Sequence, residues 1–397
     1  MRILMFTPYV PYPPNSGGQT RTFNLIKNLS KKHEITSFSF WRTDQAKPEL
    51  LELKKYCRKV EIFGRKKAWA SPEKILLTGI SPFPYLVNMY QSREVQGAIS
   101  RELQNEKYDL IHVETYYIMP NITKTSVPIL LAEQTIEYLV YQHYTQTSKL
   151  WPIKPLLYLD VAKHKYWEKF FWQKAQKVVA MSEADKQKMV DLIPNLNVGV
   201  VPNGVDIDFF AQKTTQPPKS GDKFLFVGNF NWLQNREAVE ILVSDIWPLI
   251  KKKLPQASLW IVGRSPTVEI KKMATKDIVV SEDVEDIRNA YQGANVLLAP
   301  LFGGGGTRYK ILEAMASKLP VVATEIGIEG IGAIDGKHAL ISNDKKKLAE
   351  LAVKIVNDKK LAAKISANGQ KLVTNNYNWA GISRGLEEIY EQTARKD

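Results

Sequence analysis

Short apolar runs alternate with longer amphipathic stretches along nearly all of the 397 residues. The runs fall at residues 2–7, 35–40, 110–113, 129–131, 178–181, 224–227, 259–262, 296–299 and 321–323. An unbroken short apolar run suits a strand buried on both faces, the condition of a parallel sheet covered by helices. Strand–helix alternation of this kind defines an α/β fold with doubly wound sheets. A polar, turn-rich stretch at 201–220, closing on Thr-Thr-Gln-Pro-Pro-Lys-Ser, interrupts the series, and Phe224 opens a second one. The expected organisation is a first domain over 1–202, a linker over 203–218 and a second domain over 219–380. A last segment, 381–397, carries a helix at 382–394 that returns to the first domain. The chain is long enough for two domains with full cores. Open parallel sheets bind ligands beyond the carboxyl ends of their strands, so chemistry is expected in the loops that follow the runs.

The most informative of those loops reads Leu301-Phe-Gly-Gly-Gly-Gly-Thr-Arg-Tyr-Lys310. Gly303, Gly304, Gly305 and Gly306 let bare backbone approach a ligand and take positive φ. Thr307 is expected to cap a helix running to about Ser317. The N–H groups and positive dipole end of that helix suit an anion. Arg308 and Lys310 place two cations in the first turn, where the dipole disfavours them, and a bound diphosphate would resolve the conflict. Glu313 lies on the same side, placed to accept hydrogen bonds from sugar hydroxyls or a ribose. A plain glycine-rich loop with a solvated Arg and Lys is the other reading of these residue types.

Composition narrows the classes. No run approaches the length of a membrane-spanning helix. Met1-Arg-Ile-Leu-Met-Phe is followed at once by Thr-Pro-Tyr, too short for a secretory core, and reads as a first buried strand. The single cysteine, Cys57, excludes an internal disulfide and a Cys-clustered metal site. Five scattered histidines show no ligand spacing, and no Asp-x-Asp sequence of the metal-using type is present; Asp283-Val-Glu-Asp286 reads as a capped helix start. No metal and no cofactor are therefore expected. The net charge of +14 is uneven, with +10 in residues 1–202. A basic first half suits an anionic partner or serves solubility alone. Residues 155–177 read as a helix in which Tyr166, Trp167, Phe170, Phe171 and Trp172 alternate with lysines. Such a helix lies in a membrane interface or packs in a core under a lysine-covered face.

Several motifs follow one another in a specific order. They are Gly17-Gly18 after the first run, Tyr108-Asp-Leu-Ile-His-Val-Glu114, Met181-Ser-Glu-Ala-Asp185 and Val201-Pro-Asn-Gly-Val-Asp206. Phe226-Val-Gly-Asn-Phe230, Ile261-Val-Gly-Arg264, the glycine loop and Tyr377-Asn-Trp379 complete the set. In order and spacing the chain resembles retaining, family-4-type glycosyltransferases of the GT-B fold, in the branch found in bacterial polysaccharide and envelope biosynthesis. The resemblance implies two Rossmann-like domains facing across a cleft. The co-substrate it implies is a nucleotide-diphosphate sugar, and the acceptor a glycan or lipid-linked molecule. Two features depart from the family pattern. Asn229 and Gln234 stand where the family has its diphosphate-binding Arg and Lys. Gly305 stands where the first glutamate of the Glu-x7-Glu pair is expected, Glu313 being the second. By resemblance, Arg308 and Lys310 replace the cations, and the amides of Gly304, Gly305, Gly306 and Thr307 replace the glutamate.

The same resemblance makes Gly17 and Gly18 a loop approaching the donor phosphates or the acceptor, and Asn203 and Asn229 substrate contacts. Glu114 ends a strand where relatives carry a polar residue near the reacting carbons; a surface turn carboxylate is its other reading. His112 reads as a packed strand histidine. Gln134-Thr135, between Glu133 and Glu137, stands where relatives often have His-Asn. The implied catalytic set is Glu114, Arg308 and Lys310, acting without metal and with retention of configuration. A nucleotide-sugar 2-epimerase and a non-catalytic basic scaffold are the competing classes. The scaffold lacks any recognised nucleic-acid motif, so no nucleic-acid partner is expected. The expected location is cytoplasmic, with peripheral attachment to an anionic surface on the inner face of the plasma membrane.

Overall fold

The computed structural model describes residues 1–66, 78–148, 151–214, 221–282, 284–303 and 308–395. The chain forms two compact units. One is built from Met1–Asn203 and the chain from Trp379 onward, the other from Gly204–Gly304 and Arg308–Asn378.

The first unit holds a seven-stranded sheet in the order β3-β2-β1-β4-β5-β6-β7. Its strands are β1 (Arg2–Thr7), β2 (Glu34–Arg42), β3 (Lys59–Arg65), β4 (Leu110–Glu114), β5 (Ile129–Glu133), β6 (Lys177–Ala180) and β7 (Val198–Val200). The second unit holds a six-stranded sheet in the order β10-β9-β8-β11-β12-β13. It contains β8 (Lys223–Asn229), β9 (Ser258–Arg264), β10 (Ile278–Glu282), β11 (Val296–Ala299), β12 (Val321–Ala323) and β13 (Leu340–Ile341). Every pairing between these strands is parallel. The fold is thus α/β with two doubly wound sheets, as the run pattern requires. In each sheet the strand order reverses beside the first strand, between β1 and β4 and between β8 and β11. A crevice opens at such a reversal because successive crossover helices leave to opposite faces. Gly263 shows how closely backbones meet in the second unit: a Cβ there would lie 1.6 Å from the Gly228 carbonyl oxygen.

Part of the polar stretch after β7 is packed rather than open. Val205 N–H donates to the Tyr377 carbonyl at 2.8 Å, and Phe210, in the helix Ile207–Ala211, packs edge-on against Tyr291. The helix expected at 155–177 runs Lys154–Lys174. It stops early because Gln176 N–H bonds to Ile129 at 3.0 Å and Lys177 enters β6.

That helix buries Val161, His164, Glu168, Phe171 and Trp172. The polar members serve neighbouring elements. Glu168 accepts from the N–H groups of Glu137 (2.8 Å) and Tyr138 (3.1 Å), at the start of the helix Glu137–Thr147. Asp160 accepts from Tyr85 N–H at 2.9 Å, at the start of the helix Tyr85–Tyr90. Neither helix has a side-chain cap of its own, and orphan N–H groups at a helix start favour a carboxylate. Lys163 donates to the Thr78 and Ser81 carbonyls, at 2.7 Å each.

Glu168 and Glu133 are both buried, and Trp172 Nε1 donates to Glu133 at 3.1 Å. Burial raises both carboxyls well above the ordinary 4.5, with a nearby acidic group adding to it in each case and hydrogen bonds opposing it, so each holds its proton to higher pH in the folded unit than in an unfolded chain. An unfolded chain releases such protons as pH rises through the ordinary value, whereas the folded unit retains them. Folding therefore takes up protons above that value, and stability falls as pH rises. Melting measured from about pH 5 to about pH 8 is expected to show a falling midpoint, with a flatter slope in Glu168→Gln. An unchanged slope in that variant would place the retained proton elsewhere.

Candidate active site

Each unit gathers expected site residues at its own strand reversal. In the second unit the helix Tyr309–Ala316 follows β11. Its cap is Arg308, one residue later than expected for Thr307, because the first helical bonds run from Ile311 and Leu312 to the Arg308 carbonyl. The helix also closes at Ala316, with Ser317 as its C-cap. Gly304, Gly305, Gly306 and Thr307 lie outside the described residues.

Arg308 is 9% exposed, with Nη2 3.8 Å from Glu329. Lys310 is half-buried, and its ammonium donates to Asn235 Oδ1 at 2.7 Å and lies 4.4 Å from the centre of the Phe226 ring. Asn235 Nδ2 in turn donates to the Asn229 carbonyl at 2.8 Å. The lysine thus spans from the helix after β11 to the helix Leu233–Ile241 that follows β8, across the reversal point. Asn229 turns its own side chain back, accepting from Asn231 N–H at 3.0 Å, so it closes its loop. Glu313 accepts from the Tyr291 hydroxyl at 2.6 Å.

The charges here are held at a cost. Burial, with the nearby Arg308 charge adding to it, pushes Lys310 down to about 7, against an opposing pull from Glu313. Burial raises the Glu313 carboxyl, opposed by Tyr291 and Lys310. Burial, the Glu313 charge and the hydrogen bond to Glu313 also keep Tyr291 a neutral phenol and hence a donor. A cation whose charge is disfavoured until an anion arrives suits a phosphate site.

In the first unit, Gly17 begins the helix Gly17–Leu29 after β1, and Glu114 ends β4 next to it. Glu114 is fully buried, which overturns its reading as a surface turn carboxylate. Gln134 Nε2 donates to it at 2.6 Å, and His112 Nε2 lies 3.4 Å from its other oxygen. Burial raises this carboxyl, but the His112 contact, the Arg21 charge and the Gln134 bond outweigh it and hold it below the usual range. His112 is packed as expected, its Nδ1 bonded to the Tyr390 hydroxyl of the returning C-terminal helix Trp379–Ala394. Asn203 is buried and accepts from Arg21 at 3.3 Å, while the same guanidinium nitrogen bonds the Pro202 carbonyl at 2.9 Å. Gly18 is required where it stands: a Cβ would lie 2.5 Å from the Tyr9 hydroxyl and 2.7 Å from Gln134 Oε1.

The structure adds Asn235, Tyr291 and Phe226 in one unit and Tyr9, Arg21 and Tyr390 in the other, and it brings Gln134, singled out in the sequence, onto Glu114. Arg21 had a signal in the sequence, a cation one turn past paired glycines like that of Arg308. Tyr390 and Tyr291 had none, since each reaches its carboxylate or histidine from a distant element. Among the described residues no group of three or more His, Cys, Asp or Glu side chains is arranged to hold a metal ion.

Comparison with known proteins places the chain in a family. Residues 15–209 match the model of Glycosyltransferase Family 4, and residues 221–358 match that of Glycosyl transferases group 1. A 44.6 kDa protein of the cps region of Klebsiella pneumoniae is 23% identical over 95% of this chain and 96% of its own. The phosphatidyl-myo-inositol mannosyltransferase of Mycobacterium leprae is 25% identical over 81% of this chain and 85% of its own. The lipopolysaccharide core biosynthesis mannosyltransferase of Rhizobium meliloti is 25% identical over 59% and 70%. Among solved structures, a sucrose-phosphate synthase from Thermosynechococcus elongatus covers 99% of both chains with TM-score 0.75 and 18% identity. The Anabaena protein HepE, in complex with UDP and glucose, covers 99% of this chain and 100% of its own with TM-score 0.69 and 16% identity. The architecture is that of the GT-B glycosyltransferases. The chain belongs to the family-4 group of retaining glycosyltransferases, and it transfers a sugar from a nucleotide-sugar donor.

The state of Lys310 can be read directly. With lysines reductively methylated with a carbon-13 label, its methyl resonances are expected to titrate near 7 rather than near 10.5. Glu313→Gln removes the opposing carboxylate and moves the midpoint lower. A Lys310 midpoint at the ordinary value would show that the ammonium is solvated.

Proposed function

We propose that this protein moves a hexosyl group from a nucleoside-diphosphate sugar to a glycan or lipid-linked acceptor in envelope or exopolysaccharide synthesis, with retention of configuration. The observation that carries the donor side is the buried Arg308 beside the half-buried Lys310 at the β8–β11 reversal, with Lys310 depressed by desolvation. The acceptor class is supported by the cps-region protein and by the two mannosyltransferases that act in lipid and lipopolysaccharide synthesis.

In this reading Arg308 and Lys310 grip the diphosphate and stabilise the charge that grows on it as the bond to the anomeric carbon breaks. The amides of Gly304, Gly305, Gly306 and Thr307 add neutral donors, and Glu313 takes a ribose hydroxyl. Gly17 and Gly18 bring backbone close to the substrate, with Asn203 and Asn229 as further contacts. The acceptor oxygen bonds to the anomeric carbon on the face the leaving group departs from. Its proton passes to the departing phosphate oxygen. The two cations supply the positive charge, so the reaction runs without metal.

Arg308→Ala is expected to weaken UDP-glucose binding at least about tenfold, because a diphosphate facing one cation fewer loses a charge-assisted bidentate contact. Titration calorimetry with UDP-glucose and GDP-mannose checks this, and unchanged affinity for both would place the phosphate elsewhere.

No helix among the described residues is long and apolar enough to cross a membrane. We infer peripheral attachment of the first unit through the exposed side of the helix Lys154–Lys174. Of the residues expected to insert, Trp151, Trp167 and Phe171, the side chain of Trp151 lies outside the described ones, and Trp167 and Phe171 are engaged within the unit. Trp167 packs 4.4 Å from Phe83 and donates to the Pro82 carbonyl, and Phe171 is buried. Leu156, Leu159 and Tyr166 are 65%, 50% and 63% exposed, and they recur at helical spacing among Lys154, Lys165 and Lys169. Co-sedimentation with anionic vesicles is expected to weaken with salt, since exposed charges are screened over about 8 Å. Leu156→Glu should remove whatever binding survives high salt. Equal recovery in the supernatant with anionic and neutral lipid, at both salt levels, would end the membrane reading and leave the transferase reading standing.

A further inference from the structure

A chain of buried polar contacts in the first unit connects the returning C-terminal helix to the glycine loop. The Tyr390 hydroxyl bonds His112 Nδ1, His112 Nε2 lies 3.4 Å from Glu114 Oε1 without a hydrogen bond between them, and the other Glu114 oxygen accepts from the Gln134 amide. Gln134 Nε2 also bonds the Tyr9 hydroxyl, which lies 3.2 Å from Thr22 Oγ1. Tyr390, His112, Glu114 and Thr22 are all fully buried, while Gln134 is half-buried.

The polarity of this chain is determined by its charged member. Burial and Glu114 keep Tyr390 a neutral phenol, and the same two causes keep Tyr9 one. Tyr390 bonds His112 Nδ1, and the other ring nitrogen, Nε2, faces Glu114 Oε1. Arg21 adds its charge to the same carboxylate while two of its nitrogens, Nε and Nη2, find no hydrogen-bond partner among the described residues. An ionised carboxylate only accepts hydrogen bonds. The atom of Gln134 that lies 2.6 Å from it must therefore be the amide nitrogen, since a flipped amide would set two acceptors against each other. Both N–H bonds of Gln134 are thus engaged, one by Glu114 and one by Tyr9. Its carbonyl oxygen is left on the other side, 2.7 Å from where a Gly18 Cβ would be, and takes no hydrogen bond from a described residue.

We propose that Glu114 is a positioning residue that locks the Gln134 amide with its oxygen toward Gly18, and that this oxygen accepts a hydrogen bond from a substrate hydroxyl. The proposal rests on the transferase reading and assigns Glu114 a role through Gln134 in place of direct contact with the reacting carbons. The hydroxyl belongs to the transferred sugar or to the acceptor. A carbonyl fixed in this way reads a hydroxyl and rejects a phosphate oxygen, because it offers no donor.

The test is a double-mutant cycle with E114Q and Q134L, each variant checked by its melting midpoint. Turnover is followed as nucleotide released from UDP-glucose or GDP-mannose, using the donor that wild type consumes faster. Q134L keeps the side-chain bulk and removes the carbonyl, and E114Q removes the charge that orients it. Each is expected to lower kcat/KM at least about tenfold, with the double variant within about twofold of Q134L alone, because a residue acting only through another adds nothing once that other is gone. Effects that multiply, or full activity in Q134L, would overturn the proposal. Should E114Q melt early, the exchange E114Q/Q134E, which keeps one amide and one carboxylate, should recover most of what Q134E alone loses; no recovery counts against the proposal. Loss already visible in donor hydrolysis assigns the hydroxyl to the sugar. Loss seen only in transfer to a solubilised lipid extract assigns it to the acceptor. UDP should stabilise every variant as it does wild type; a wild type that ignores UDP would instead defeat the donor assignment on Arg308 and Lys310.

Discussion

Charge removed from water, and held only by what surrounds it, is the condition on which both groups of site residues depend. Lys310 keeps an ammonium under Phe226 with Asn235 as its acceptor, and Glu114 keeps a carboxylate beneath Gln134 with His112 and Arg21 around it. Neither would persist as an isolated ion in the interior, because desolvation drives a lone buried group to its neutral form. Their partners differ in kind. Glu114 has enough of them to stay ionised, so it acts as a fixed reference for the hydrogen bonds around it. Lys310 has too few, so burial leaves its ammonium disfavoured.

The same economy of buried polar groups organises the first unit at a distance from the site. The helix Lys154–Lys174 would be an ordinary core helix if its buried stripe were apolar. Instead Glu168 and Asp160 satisfy the first N–H groups of two other helices that lack caps of their own. Lys163 does the same for two loop carbonyls. Orphan backbone groups are costly when buried, so these contacts specify which elements meet that helix, and in which register, beyond what apolar packing alone would select. The returning helix Trp379–Ala394 is secured in a comparable way, by Tyr390 on His112 and by Glu387 at 3.0 Å from Lys32.

All nine apolar runs legible in the sequence are strands of the two sheets. The four strands that could not be read there, β3, β7, β10 and β13, are the four sheet edges. An edge strand is covered less completely, so it carries exposed and charged positions: β3 alternates Lys59, Glu61 and Arg65 with partly buried residues, and β10 ends in Ser281-Glu282. The continuous apolar run marks burial on both faces, and edges do not have it. At the glycine loop the sequence likewise placed the helix to within a residue, because Gly-to-helix transitions are written locally.

From the sequence alone follow the fold class, the central strands, the family resemblance and the placing of Arg308, Lys310 and Glu313 at one helix start, since each depends on residues close together in the chain. Tertiary structure alone decided what those residues touch. Tyr291 reaches Glu313, Asn235 reaches Lys310, and Tyr390 reaches His112 across 278 positions of sequence. It also decided that Glu114 is buried and not a surface carboxylate. Local pattern reports backbone geometry and the average burial of a segment. The ionisation and orientation of a particular side chain depend on the few atoms packed around it, and in a doubly wound sheet those atoms come from strands and helices far apart in the chain.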